Sequence, residues 1–246
     1  MPRFFIAPDQ VMGDELVIRG NDVNHIKNVL RMHPGDELSI SDGCGVDYFG
    51  RIKTIDRDEV WLSIENSWKS YVELPTRLYL FQGLPKGDKM ELIIQKAVEL
   101  GVYQIIPVKT SRVIVKFDEK KEAKKIARWQ QIAESGAKQS GRGIIPEVHS
   151  VMNFGEALEY AKTLDAAIIP YEKAEGMKQT RQILSGLKGK KSVGIFIGPE
   201  GGFDESEVEK AMSAGASPIT LGRRILRTET AGLAMLSILM FEFEEE

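Results

Sequence analysis

A chain of 246 residues, 42% hydrophobic and 28% charged, has the length for one large domain or for a small and a medium one, and its composition is ordinary for a soluble globular protein. Its most apolar run, AGLAMLSILMF at 231–241, is about half the roughly 20 residues a membrane-spanning helix needs. The opening Met-Pro-Arg-Phe-Phe lacks the apolar core and cleavage site of a signal peptide. Cys44 is the lone cysteine, which excludes an intrachain disulfide and a cysteine-based metal site. A cytoplasmic protein with no membrane partner is expected. The net charge of −3 argues weakly against a nucleic-acid partner, but the distribution is uneven. Residues 1–72 carry 8 Lys+Arg against 12 Asp+Glu, whereas 109–142 carry 10 against 4. Screening confines a field to about 10 Å, so a basic patch on an acidic protein can still engage a polyanion. The bland alternative is a solvated helix face, since KFDEKKEAKKIARW sets lysines at helical spacing among acids.

From 1 to 72 the rhythm is of short strands separated by turns: ELVIRG, DELSISDG, VDYFGRIKTID and DEVWLSIENS. Val60-Trp61-Leu62-Ser63-Ile64 and Glu37-Leu38-Ser39-Ile40 alternate as half-buried strands do. One helix, NDVNHIKNVLR, interrupts them with Asn21 or Asp22 as N-cap. Such a set predicts a small β-barrel. SWKSYVELPT, with Pro75, reads as the connection to a second domain at 73–246.

There the rhythm becomes strand, helix, strand. LYLFQG, YQIIPVK, AAIIPY, SVGIFIG and PITLG alternate with helical stretches, two of them stopped by Gly101 and Gly215. Continuous apolar strands between amphipathic helices predict an α/β domain whose parallel sheet is covered on both faces. The final helix, TETAGLAMLSILMFEF, is apolar nearly all round and belongs in the core or in a subunit interface.

Two loops carry the chemistry. In GIFIGPEGGFDESEVEKA a buried strand ends in Gly198-Pro199-Glu200-Gly201-Gly202, and Asp204 with Glu207 forms a capping box. Ligands of open α/β sheets bind beyond the carboxyl ends of strands. Glu200, Asp204, Glu205 and Glu207 would repel a phosphate, so the loop suits a neutral or cationic ligand; a tight turn holding nothing is the alternative. In ITLGRRILRTETAG, Ile225 and Leu226 lie between Arg223, Arg224 and Arg227. The backbone there could wrap an apolar or aromatic ligand while arginines face an anionic partner, unless those arginines merely pair with Glu229. No G-x-G-x-x-G follows a strand, and GLPKGDK at 83–89 is a Walker loop only loosely. His25, His33 and His149 are scattered, so no metal is expected.

IGPEGGF at 197–203 with LGRRILRTETA at 221–231 resembles the RsmE-type methyltransferases of the knotted SPOUT class, which modify N3 of a uridine in small-subunit ribosomal RNA. The resemblance extends over RFF at 3–5, HIKNVLR at 25–31, GLPKGDKMELIIQKAVELG at 83–101, QSGR at 139–142 and IPYE at 169–172. One departure is ESGAK, with Gly136 and Lys138 where the family usually has an Ala-Ala-Glu-like run. The resemblance implies a PUA-like, RNA-binding barrel at 1–72, a trefoil-knotted parallel-sheet domain at 73–246 and a homodimer through the knot. The implied cofactor is S-adenosylmethionine, whose sulfonium is cationic. By family position its pocket takes Ile169, Pro170 and Tyr171; Ile197, Gly198, Pro199, Glu200, Gly201 and Gly202; and Leu221, Gly222, Ile225, Leu226 and Arg227.

The implied target is ribosomal RNA, naked or as the assembled small subunit. Transfer RNA as substrate, or a non-catalytic RNA-binding role, are the alternatives. Uridine N3–H is weakly acidic, so Arg223, Arg224 or Arg227 would stabilise the uridinate, with Glu200 or Glu229 as proton acceptor. The competing role for Glu200 is to fix the loop through backbone N–H groups. Arg3, Lys27, Arg31, Lys86, Lys89, Arg112, Lys138 and Arg142 are the expected RNA contacts.

Overall fold

A computed structural model describes residues 3–112, 119–174 and 176–244. The chain divides into two compact units, 1–73 with 137–145, and 74–136 with 146–246.

In the first unit six strands form one curled sheet: β1 (Arg3–Phe5), β2 (Val11–Met12), β3 (Glu15–Arg19), β4 (Glu37–Ser41), β5 (Val46–Ile55) and β6 (Glu59–Lys69), in the order β1-β4-β5-β6-β3-β2. All pairings are antiparallel except β1 with β4. The small barrel expected from the strand rhythm is this curled sheet, whose strand path has two ends among the described residues. Its alternation is the one read from sequence: Leu38, Ile40, Val60 and Leu62 are fully buried, together with Leu16, Ile18 and Ile26. The helix in this unit differs from expectation. Gly20, at φ 76° and ψ −144°, is the N-cap of α1 (Asn21–Asn24), which widens into π-type turns over His25–Val29. That backbone conformation is open to glycine and hostile to Asn21 or Asp22, which therefore sit inside the helix.

Residues 137–145 join this unit through specific bonds. Arg142, 4% exposed, directs its guanidinium onto Glu73, and Glu73 also accepts from Gly143 N at 2.8 Å. A Cβ on Gly143 would lie 2.3 Å from Ser70 Oγ, so only glycine lets the segment pass there.

The second unit holds a parallel sheet of seven strands: β7 (Arg77–Gly83), β8 (Val102–Lys109), β9 (Glu147–Val148), β10 (Met152–Asn153), β11 (Ala166–Pro170), β12 (Ser192–Ile197) and β13 (Ala216–Ile219). The order is β10-β8-β7-β12-β11-β13, with β9 beside β8. The helices are α2 (Lys89–Glu99), α3 (Glu119–Ser140, which ends in the first unit), α4 (Phe154–Ala161), α5 (Met177–Ser185), α6 (Glu205–Ser213) and α7 (Thr228–Phe243). Phe81 of β7 and Phe196 of β12 stack 4.5 Å apart at 7° in the core. Gly101 and Gly215, at φ 85° and 98°, stop α2 and α6 as expected. α7 buries Met235, Leu236, Leu239 and Phe243 but leaves Ile238 and Phe241 exposed, the latter at 80%. Among the described residues no helix is long and apolar enough to cross a membrane.

Candidate functional site

The carboxyl ends of β11, β12 and β13 open onto one cavity of about 540 Å³. Parallel strands direct their following loops to the same side, so chain segments far apart in sequence meet there. The bend 197–203 forms one wall, the bend 220–227 the other, and Pro170 and Tyr171 close the third side. Thr228 ties the two bends together: its Oγ1 donates to the Gly198 carbonyl at 2.6 Å. Of the residues expected to line a cofactor pocket, Ile169 is the exception. It is fully buried in β11 within the apolar core and does not reach the cavity wall.

The cavity fits a ligand read mainly by backbone. From Arg223 to Leu226 the main chain makes no hydrogen bond to a neighbouring element among the described residues, and Ile225 is 88% exposed. Main-chain donors and acceptors flanked by Leu221, Ile225 and Leu226 suit a flat heteroaromatic ring, which needs edge hydrogen bonds and apolar faces.

The electrostatics correct the sequence reading. Asp204, Glu205 and Glu207 are outside the cavity lining. Asp204 accepts from Ser206 N to cap α6, and Glu207, buried, accepts from Ser111 N at 2.7 Å and Asp204 N at 2.9 Å. Among the described residues, Glu172 and Glu200 are the carboxylates that face the cavity, against Lys89, Arg223, Arg224 and Arg227. The acidity of the loop thus belongs to the helix start, where backbone N–H groups require acceptors.

Glu200 is bound in place. It accepts from Lys86 N at 3.0 Å and from Lys89 Nζ at 2.9 Å. Burial pushes its carboxyl up, but Lys89 and the N–H groups of Glu200 and Lys86 outweigh that and hold it below the ordinary glutamate range. The Glu200 hydrogen bond in turn raises Lys89 above its ordinary value. GLPKGDK, unremarkable as a phosphate loop, is therefore the dock for Glu200. A depressed carboxyl is a weak base, which disfavours Glu200 as proton acceptor.

Arg223, Arg224 and Arg227 all line the cavity, and none forms an ion pair among the described residues. The alternative in which they merely neutralise Glu229 fails, because the cation near Glu229 is Lys89, 3.7 Å away. The expected RNA contacts divide. Lys27, Arg31 and Lys86 are exposed, with side chains free of ion pairs among the described residues. Arg3 pairs with Asp47, Lys138 with Asp22 and Arg142 with Glu73, all inside the first unit. Arg142 is corrected outright: a guanidinium this buried and this paired is a fastener, not an RNA contact. Lys89 faces the cavity, and Arg112 donates to the Gly201 carbonyl at 2.7 Å, bracing the bend from outside. Sequence reasoning missed Gln82, Gly83 and Thr228; the pairing of β7 beside β12 brings Gln82 to the loop, the close approach of Pro199 brings in Gly83, and the bond to Gly198 brings in Thr228. Among the described residues no cluster of metal-ligating side chains occurs.

Comparison with known proteins assigns the class. Residues 72–240 match a family described as an RNA methyltransferase domain, and 18–65 match an RNA methyltransferase PUA domain. The ribosomal RNA small subunit methyltransferase E of Bacillus subtilis is 37% identical, covering 99% of this chain and 98% of the relative. A crystal structure of the Neisseria gonorrhoeae enzyme of that description, bound to S-adenosyl methionine, is 33% identical with a TM-score of 0.85, covering 99% and 98% of the two chains. A Legionella pneumophila protein in complex with the same cofactor is 30% identical with a TM-score of 0.84, covering 98% and 97%. The chain belongs to the ribosomal RNA small subunit methyltransferase E family.

Proposed function

We propose that this chain transfers a methyl group from S-adenosylmethionine to N3 of a uridine in small-subunit ribosomal RNA, in the cytoplasm, with 1–72 as the RNA-binding domain and 73–246 as the catalytic one. The carrying observation is that the bends 197–203 and 220–227 share one cavity and are joined by Thr228. Bound there, the cofactor supplies an electrophilic methyl on a cationic sulfur. The backbone of 198–202 and 221–226 holds its adenosine, with Pro170 and Tyr171 packing beside it.

The N3–H proton must leave before or as the new N–C bond forms. Arg223, Arg224 and Arg227, which line the cavity and form no ion pair among the described residues, stabilise the negative charge that develops on the uracil ring. Glu200 anchors the loop, and the proton passes to water at the open mouth. A base methylated at its pairing edge must be presented unpaired. We also infer the knotted threading and the homodimer that the resemblance implies; the exposed Ile238 and Phe241 on the apolar helix α7 support a subunit contact there.

The test is methyl incorporation from labelled S-adenosylmethionine into naked ribosomal RNA, assembled small subunits and transfer RNA, with nucleoside mass spectrometry of the product. 3-Methyluridine in small-subunit RNA is the expected outcome. Cofactor binding without transfer to any RNA would overturn the catalytic reading.

A further inference from the structure

We propose that Gln82, through the hydroxyl of Thr228, is a positioning residue for the cofactor loop. The inference rests on the reading of the cavity as an S-adenosylmethionine site. Gln82 is fully buried at the carboxyl end of β7, paired in register with Ile197 of β12, the residue that enters the loop. A long polar side chain in that place needs hydrogen bonds, and it has them on one side only. Its Nε2 donates to the Gly83 carbonyl and to Thr228 Oγ1, both at 2.9 Å, while its Oε1 is buried without a partner among the described residues. The amide orientation follows from chemistry. Turned over, Oε1 would face the Gly83 carbonyl, acceptor against acceptor.

That orientation sets a direction. Because both amide hydrogens are used, one of them on Thr228 Oγ1, the hydroxyl must accept from Gln82 and has its single proton for Gly198 O. The relay therefore fixes the plane of the Gly198–Pro199 peptide. It turns that carbonyl toward the start of α7, and it joins β7 to both bends of the cavity. Gly83 completes the arrangement: a Cβ there would lie 2.7 Å from Pro199 N, so the loop passes directly over the strand end that carries Gln82. None of the Gln82 side chain lines the cavity, so its effect on the cofactor must pass through Thr228 and the loop.

The experiment is isothermal titration of S-adenosylmethionine into the full chain and its variants Gln82→Met, Thr228→Val, Thr228→Ser and the double variant Gln82→Met/Thr228→Val, with Tm recorded for each. The wild type binds; each single break in the relay raises Kd about tenfold, the loss of roughly one well-placed hydrogen bond. Thr228→Ser, which keeps the hydroxyl, binds like the wild type. The double variant is no weaker than the worse single one, because both remove the same relay. In methylation assays the relay is read as a rise in KM for the cofactor that exceeds any fall in kcat, whereas a general structural loss would lower both along with Tm. If the wild type binds and the folded variants bind equally well, or if the two losses add, the relay is overturned while the site stands. A wild type that does not bind overturns the relay and the cofactor reading together. Should Gln82→Met not fold, the comparison of Thr228→Val with Thr228→Ser decides.

Discussion

Glu200 is held by one ammonium and by the N–H of Lys86, and both partners come from the segment after β7. Its carboxyl lies below its ordinary value, so this contribution is complete above the ordinary glutamate range and is lost only as pH falls through the depressed value. Lys89 lies above its ordinary value, so its half persists until pH rises past the usual lysine range. The loop tether should therefore be constant across neutral pH and weaken only in acid, below the ordinary glutamate range. Cofactor affinity, measured by titration across that range, is expected to be flat at neutral pH and to decline in acid. Glu200→Gln keeps the acceptor for Lys86 N but loses the charge attracting Lys89. The pair is partly exposed, so the expected rise in Kd is no more than about fivefold, with the single-turnover rate at saturating cofactor nearly unchanged. A large loss of rate at unchanged Kd would restore Glu200 to the chemistry.

At the scale of elements, Gly83 and Pro199 show how strand pairing builds a site. Gly83→Ala would drive a Cβ to 2.7 Å from both Pro199 N and the Pro199 ring, neither of which can move aside without moving the loop. The expected cost is about 1–3 kcal/mol, visible as a lower Tm, with a loss of cofactor affinity beyond that of Glu200→Gln. An unchanged Tm and Kd would mean the bend is not fixed against β7. What was legible in the sequence follows the same division. Asp204 and Glu207 announce the start of α6 because a capping box is a local pattern. The apolar runs announce the parallel strands because burial on both faces leaves no polar alternation. The two-residue strands β9 and β10 and the π turns at His25–Val29 carry no such local signal. The residues of the cavity were legible where they lie in the two glycine- and arginine-marked bends. Gln82 was not, because its role depends on β7 standing beside β12, and strand order is set by long-range packing rather than by any window of sequence. Which carboxylates of the loop face the cavity was not legible for a related reason: counting them along the chain cannot tell that Asp204 and Glu207 are turned back onto backbone N–H groups.

For the molecule as a whole, a net charge of −3 and an RNA substrate are compatible only if the cations are placed and free. The structure sorts them. Arg3, Lys138 and Arg142 are held by Asp47, Asp22 and Glu73, so they stabilise the first unit. Lys27 and Arg31 there, and Lys86, Arg223 and Arg224 in the second unit, carry no ion pair among the described residues and remain available to phosphates. Binding of a small-subunit RNA fragment should weaken steeply with salt. Replacing Lys27, Arg31 or Lys86 by alanine should lower the slope of log K against log salt by about 0.7 for each single-strand phosphate left without its cation. These variants should melt like the wild type, since exposed, unpaired cations contribute little to stability. Arg142→Ala should do the reverse: leaving Glu73 half-buried without its partner costs about 3–5 kcal/mol, seen as a large fall in Tm, while the salt slope of whatever protein stays folded is unchanged. An Arg142→Ala protein with normal Tm and a reduced slope would return that residue to the RNA surface and undo the division between cations that fasten the fold and cations that face the RNA.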